Sequence, residues 1–358
     1  MSMRRLVLLL SSATVLSCAY GAPEPARFDG LGAFLDSLML EHDVPGVSFA
    51  VFDDGGQLYE YVGGLKSQDA PDPIERGTAF EAASISKPVF SYVVFSLARE
   101  GVLDLDASLS TLVSEVPEVA YDPRSVALTA RTLLTHQGGL PNWRSRMDFL
   151  ARSYADLFAP DDTLRFVADP GTEYRYSGEG FVLLQRIVEE VTGQALHELA
   201  GERVFGPLGM TASSVVFDTD MERNYPHGHD REGSPDKWDL RLALASSTLH
   251  TTGSDLAKFG AHLASEIRQG GPFSALATPA ATIEVIGGVT RSWGLGVGVV
   301  DDGPRRYVYH GGNNVIFIAD FMYGVEENLG YALLTNSANG QRMVEPVERR
   351  IFGRDVPR

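Results

Sequence analysis

The stretches of this chain that read as β-strand lie at its two ends, and the long middle reads as helix. From Gly46, "GVSFAVFDDGGQLYEYVGG" holds two β-rich runs around "DDGG", a Gly-containing hairpin signal. Near the other end, "RRYVYHGG", "VIFIADFMYG" and "GYALLTNSANG" are short β-branched and aromatic runs bounded by Gly and Asn, and "QRMVEPVERRIF" after them reads as a helix. Between the ends, apolar residues recur at helical spacing through "VFSYVVFSLAREGVLDLD", "ARTLLTHQGGL", "DTLRFVAD" and "GFVLLQRIVEEVTGQALHELAGERVF". Loop clusters such as "ADPGTEY" and "NYPHGHDREGSPDKWD" separate them. Strands that bury a face must pair, so the simplest packing is one mixed sheet drawn from both chain ends, covered by helices, with a helical lobe inserted between.

At 358 residues, 44% hydrophobic and 22% charged, the composition is that of a globular protein of one or two domains. A formal net charge of −17 with no basic stripe argues against a nucleic-acid partner, because a phosphate-binding surface needs clustered Lys and Arg. The leader "MSMRRLVLLLSSATVLSCAYGAPEPARF" combines Arg4 and Arg5, an apolar stretch from Leu6 to Leu16, and small residues suited to cleavage after Gly21. This predicts a signal peptide over 1–21, a mature domain over 22–358, and a secreted or periplasmic location. No segment approaches the roughly 20 apolar residues of a spanning helix, so no transmembrane segment is expected. Cys18 is the only cysteine, which leaves no intrachain disulfide; its setting "VLSC" resembles a bacterial lipoprotein signal, in which it would carry a lipid anchor.

Only four lysines occur, and one of them, Lys87, stands three residues after Ser84 at the head of the first long apolar run. A serine hydroxyl is a poor nucleophile at neutral pH and needs a nearby base. If Ser84 opens a helix, Lys87 sits one turn on and on the same face. The helix N-terminus and burial would both disfavour its ammonium form. The competing reading makes Ser84 an N-cap, and the motif alone leaves both open. A second match, Ser234 and Lys237, lies in the loop "GSPDK" with no apolar helix behind it and reads as coincidence.

Two later motifs shift the balance. "YRYSGEGF" puts Tyr176 at a loop-to-helix junction, and "VYHGGN" ends a strand on two glycines that permit close approach. With "EAASISKP", "LLTHQGGLPNW", "TTGSDLAKFGAHL", "WGLGVGV" and "HGGNNVIF" in this order, the chain resembles the serine β-lactamase and penicillin-binding-protein superfamily. The likeness is to its class C-like branch, which includes D-stereospecific peptidases and carboxylesterases. The resemblance implies an α/β (α+β) fold: an antiparallel sheet from both chain ends, flanked by helices, with an inserted mostly helical lobe. The α/β lobe would cover about 27–80 and 280–358, and the helical lobe about 81–279. It implies Ser84 as acylated nucleophile, Lys87 as its proton partner and Tyr176 in the proton relay, as base for attack or acid toward the leaving group. Backbone N–H groups of Ser84 and Asn313 would form an oxyanion hole. His310, Gly311, Gly312 and Gly178 would border the substrate, and no cofactor or metal is implied.

Two positions depart from the β-lactamase pattern. Tyr-x-Asn becomes Tyr176-Ser177-Gly178, losing an amide, and Lys-Thr-Gly becomes His310-Gly311-Gly312, replacing a fixed cation by a histidine only partly charged near neutrality. The expected function is therefore a secreted hydrolase of an ester, amide or peptide through a Ser84 acyl-enzyme, a carboxylesterase or peptidase rather than an efficient β-lactamase. The alternatives are a true class C-like β-lactamase, a D,D- or D-amino peptidase, and a non-catalytic protein that binds cell-wall peptides or β-lactams. Oligomeric state is not indicated. "GVSFA" around Ser48 reads as sheet packing rather than a G-x-S-x-G elbow. His227 and His229 read as a polar loop, and His136 as a shaper of the turn after its helix.

Overall fold

Each expected strand pairs as the hairpin signals require in the computed structural model of the protein, which describes residues 26–114, 116, 119–144, 164–217, 219–236 and 242–358. The leader with Cys18, most of the 144–162 loop and Lys237 lie outside these residues. In chain order the strands are β1 (Gly46–Asp53), β2 (Gly56–Ser67), β3 (Ala70–Pro73), β4 (Phe80–Ala83), β5 (Gly228–His229), β6 (Pro235–Asp236) and β7 (Leu249–Thr251). The C-terminal set is β8 (Ala281–Ile286), β9 (Val289–Trp293), β10 (Gly298–Asp301), β11 (Arg306–Asn313), β12 (Ile318–Gly324) and β13 (Leu329–Thr335). Nine of them form one sheet in the order β3-β2-β1-β13-β12-β11-β10-β9-β8. The join between the chain ends is β1 against β13, from Val47 opposite Thr335 to Phe52 opposite Gly330. Every pairing in this sheet is antiparallel, so it is not mixed; consecutive C-terminal strands joined by short turns can pair only in this way.

The helices that matter below are α1 (Leu31–His42), α2 (Ser86–Arg99), α3 (Ala130–Leu134), α4 (Gly178–Thr192), α5 (Gly253–Gln269) and α6 (Gln341–Phe352). The period of two along β1 sends Val47, Phe49 and Val51 to one side, where Leu35 of α1 and Met343 and Val347 of α6 cover them. Ala50 and Phe52 face the other side and join the core that holds α2, α4 and α5. Helix α5, grouped by sequence with the helical middle, packs on β1, β2 and β13 and also sets Phe259 against Tyr92 of α2. The Gly253 N–H at its start donates to the buried Ser48 hydroxyl at 2.8 Å, so Ser48 pins this helix to the sheet. "DTLRFVAD" also departs from expectation, because its described part is irregular rather than helical. Leu164 and Phe166, two residues apart, are both buried, which suits an extended chain better than a helix.

The contact between α5 and the sheet depends on a missing side chain. A Cβ on Gly260 would lie 2.4 Å from Phe52 and 2.7 Å from Phe321, two rings stacked on one another with centroids 5.6 Å apart. Gly260→Ala should therefore lower stability by about 1–3 kcal/mol, the usual cost of overpacking. An unchanged urea midpoint would show that the interface is looser than these distances describe.

Candidate active site

The segment from β4 to α2 is a strand, a strained turn and a helix. Ala83 has φ 49, a left-handed conformation that costs an alanine energy. The ladder between β4 and β7 slips at the same place, between Glu81 and Ala83. Ser86 holds the turn: its hydroxyl donates to Ala83 O at 2.6 Å and accepts the Leu249 N–H of β7 at 2.8 Å. Ser84 thus stands in the turn just before α2 rather than opening it, and no side-chain cap bond forms at that helix start. The N-cap reading fails, and the hydroxyl is free to meet the lysine one turn on.

Lys87 is 1% exposed. Its Nζ lies 3.0 Å from Ser84 Oγ and donates to Ser246 O at 2.8 Å. The amine sits 4.8 Å from the Tyr176 ring centre and 5.7 Å from that of Phe181. Burial pushes its pKa down to about 7, because the dry site disfavours the ammonium form. A neutral amine that gives one N–H to Ser246 O still has its lone pair, and Ser84 is the hydroxyl in front of it. This arrangement can take a proton from serine.

Tyr176 precedes α4, whose start is fixed by Ser177: the Ser177 hydroxyl accepts the Gly180 N–H at 2.8 Å and donates to Pro141 O at 2.7 Å. Burial raises the Tyr176 pKa, with the Ser84 hydroxyl pulling the other way. His136, at φ 55 after α3, accepts the Ser177 N–H on Nδ1 at 3.1 Å and packs on Tyr176 with ring centres 4.2 Å apart. It shapes the turn, as expected, and in doing so sets the entry to the tyrosine. Burial holds its pKa well below the ordinary value.

His310 departs from expectation. It is 2% exposed and packs 5.3 Å from Trp293 and 6.4 Å from Tyr176, centre to centre. Nδ1 donates to Gly311 O at 2.7 Å, and burial, followed by the Lys87 charge, takes its pKa down to about 3. At neutral pH it is uncharged and lies behind the cleft wall, not in it. Gly311, Gly312 and Asn313 do line the cleft, a cavity of about 780 Å³ that they share with Ser84, Trp143 and Tyr176 among the described residues. Gly312 is required by packing: a Cβ there would lie 2.2 Å from Ala82 O, so β11 passes directly over β4, two residues before Ser84. Gly178 lies under Trp143, whose indole atoms would be 2.8 and 3.0 Å from an added Cβ. The room that an asparagine would use there is taken by an aromatic ring.

The Beta-lactamase family model matches residues 31–353. The chain belongs to the Beta-lactamase family. A penicillin-binding protein 4 of Amycolatopsis lactamdurans is 31% identical over 244 residues, 63% of this chain and 60% of that protein. The esterase EstB of Burkholderia gladioli is 32% identical over 219 residues, 57% of this chain and 55% of that protein. The chain thus spans a little over half the length of these two curated relatives. Among solved structures, a class C β-lactamase superposes with a TM-score of 0.75 at 20% identity, covering 95% of this chain and 99% of its own. A penicillin-binding-protein homologue from Pyrococcus abyssi gives 0.75 at 23% identity, covering 90% and 79%. At these identities the structural likeness establishes the family fold.

Several residues around this Beta-lactamase-family site carried no sequence signal. Ser246 contributes only a carbonyl, and Trp143 matters only because Gly178 lies beneath it. Glu81 and Ser86 stand inside the quoted motif "EAASISKP", but nothing in their type announces a partner. The remaining candidates lie apart from the site. Ser234 is in a turn whose N–H donates to Asp230. His229 has both ring nitrogens engaged, Nδ1 with Asn336 O at 2.9 Å and Nε2 accepting the Gln68 N–H at 3.2 Å. Lys87 itself offers a stability test. Its amine titrates near 10.5 in water and near 7 in the fold, so the unfolded chain holds the extra proton between those values and stability rises with pH across that window. The full burial cost applies below pH 7. Lys87→Met should thus stabilise the fold near pH 6, with the gain smaller by roughly 3 kcal/mol near pH 9. Urea unfolding at both pH values measures this, and a pH-independent difference would contradict the neutral buried amine.

Proposed function

We propose that the protein is a serine hydrolase that cleaves an ester or amide through an acyl-enzyme on Ser84. The observation that carries this is the buried Lys87 amine 3.0 Å from the Ser84 hydroxyl, with a pKa of about 7 set by burial. Lys87 removes the Ser84 proton as Oγ attacks the carbonyl carbon, and the tetrahedral oxyanion is met by the backbone N–H groups of Ser84 and Asn313. Tyr176, whose pKa is raised by burial, stays a phenol. It suits protonation of the leaving group, with its own proton restored through Lys87. Collapse expels the leaving group, and water attacks the acyl carbon in a second step that returns Ser84 to its hydroxyl.

The wall chemistry supports a neutral acyl group over a β-lactam. Trp143 covers Gly178, so no amide from that position greets a substrate amide, and His310 is uncharged behind the wall. The esterase relative fits this reading. The basic and apolar leader supports export, to the periplasm or beyond, with a lipid on Cys18 as the variant to look for in the mature N-terminus.

Incubation with a short-chain p-nitrophenyl ester should give turnover and a transient acyl adduct on Ser84 by intact mass, with nitrocefin slower by more than about tenfold in kcat/KM. Ser84→Ala should abolish the adduct. Lys87→Met and Tyr176→Phe should each lower kcat by about 10²–10⁴-fold, the range for loss of a general base or acid. Wild-type activity should fall as pH drops through about 7 and Lys87 takes up its proton. A folded protein that binds penicillin without turnover or adduct would be a binding protein instead, and the hydrolase proposal would be lost.

A further inference from the structure

Glu81 is 1% exposed on β4, three residues before Ser84, and the acyl-transfer steps above give it no part. Its two oxygens are divided between distant segments. The Tyr225 hydroxyl donates to Oε1, and the Asn314 amide donates to Oε2 at 2.6 Å. The same Asn314 amide reaches Ser247 O at 3.2 Å, next to the carbonyl that holds Lys87. Asn314 directly follows Asn313, the residue whose N–H would meet the oxyanion.

The turn these residues hold is strained. Val315 has φ 67, a left-handed conformation in which a β-branched residue is a genuine outlier. Its side chain is 55% exposed, so burial does not compensate. Local bonds close the turn: Asn313 Oδ1 accepts the Val315 N–H at 2.8 Å, Asn314 O accepts the Ile316 N–H at 2.7 Å, and the Asn314 N–H donates to Phe317 O at 3.0 Å. None of these ties the turn to Ser84. The link from Asn314 to Glu81 does, because Glu81 and Ser84 share one short segment of chain.

We propose that Glu81 and Asn314 are positioning residues: their bond fixes the turn between β11 and β12 against β4 and so sets the Asn313 N–H relative to the Ser84 hydroxyl. This rests on the acyl-enzyme reading and adds the device that keeps its oxyanion donor in place. Burial of a carboxylate costs stability unless its oxygens are satisfied, and here both are, one by the turn that needs holding. Loss of an oxyanion donor costs about 10²–10³-fold in kcat. Loosening one should cost part of that.

The test uses the full chain. Asn314→Ala should lower kcat for the p-nitrophenyl ester by about 10–100-fold with little change in KM, and should weaken an alkyl boronic acid, whose tetrahedral adduct uses the same donor, by a similar factor. Glu81→Ala should behave alike, and the double variant should cost no more than the worse single, since both remove one contact. Glu81→Gln should lose less than Glu81→Ala, because its amide oxygen can still accept from Asn314 while its N–H groups meet the Tyr225 oxygen. Amide hydrogen exchange over 311–317 reads the clamp without catalysis and should quicken in Asn314→Ala. Unchanged exchange there, or additive losses in the double variant, would overturn the clamp. A wild-type protein without turnover or adduct would overturn the acyl-enzyme reading, while the exchange result still decides the clamp.

Discussion

A lysine amine kept out of water beside a serine hydroxyl is the condition on which the rest of this structure turns. Keeping it dry takes most of the helical lobe: α2 is buried on nearly every side around Lys87, α4 brings Phe181 over it, and Ser246 supplies the carbonyl that takes its N–H. The amine is also costly, because a charged lysine gains nothing from such a place. Strain at Ala83 and a slipped ladder beside it add to that cost, and Ser86 offsets part of it by tying the turn to β7. Stability is spent at one point, where the proposed acyl transfer needs a serine with a base in contact with it.

The proposed chemistry has a second requirement, that β11 bring the Asn313 N–H to the same point. The sheet and the helical lobe come from different parts of the chain, so nothing local brings β11 to β4. Two contacts do so. Gly312 lets the backbones touch, where any Cβ would strike Ala82 O, and Asn314 reaches Glu81 one turn of loop later. The first sets how close the strands come, the second which way the turn faces. Together they explain why a motif at residues 310–313 and one at 84–87 can act as one site although more than two hundred residues separate them.

What was legible in the sequence follows from the range of the signal. The strands β1, β2, β11, β12 and β13, the turn at Asp54 and Gly55, and α2, α4 and α6 are written in spacing and turn residues, whereas β8, β9 and β10 are not read as strands. The order of three short motifs carried the family, and with it the antiparallel sheet that periodicity could not assign. Side-chain direction was less accessible. Nothing in "VYHGG" says whether His310 faces the cleft, because that depends on the pleat and on Trp293 from another strand; pairing of His310 with Phe321 settles it. "DTLRFVAD" failed for a related reason, since two apolar residues two apart satisfy a strand-like course as readily as a helix. The sequence of α5 shows an apolar face but not that the sheet covers it.

The two departures from the β-lactamase pattern are linked by packing rather than independent. His310 stands on an aromatic shelf with Trp293, Tyr174 and His136 behind Tyr176, and Trp143 covers the opposite side at Gly178. A lysine in place of His310 would meet this shelf and not solvent, so its charge would be suppressed by the same burial that holds His310 neutral. An asparagine in place of Gly178 would strike Trp143 before it reached a substrate. The aromatic walls therefore exclude both polar groups together, so neither position 178 nor position 310 presents the amide or the cation of the β-lactamase pattern. What remains at the floor of the cleft is the Ser84 hydroxyl with the Lys87 amine 3.0 Å away, and the proposed hydrolysis asks of a substrate only a carbonyl carbon and a group that can leave.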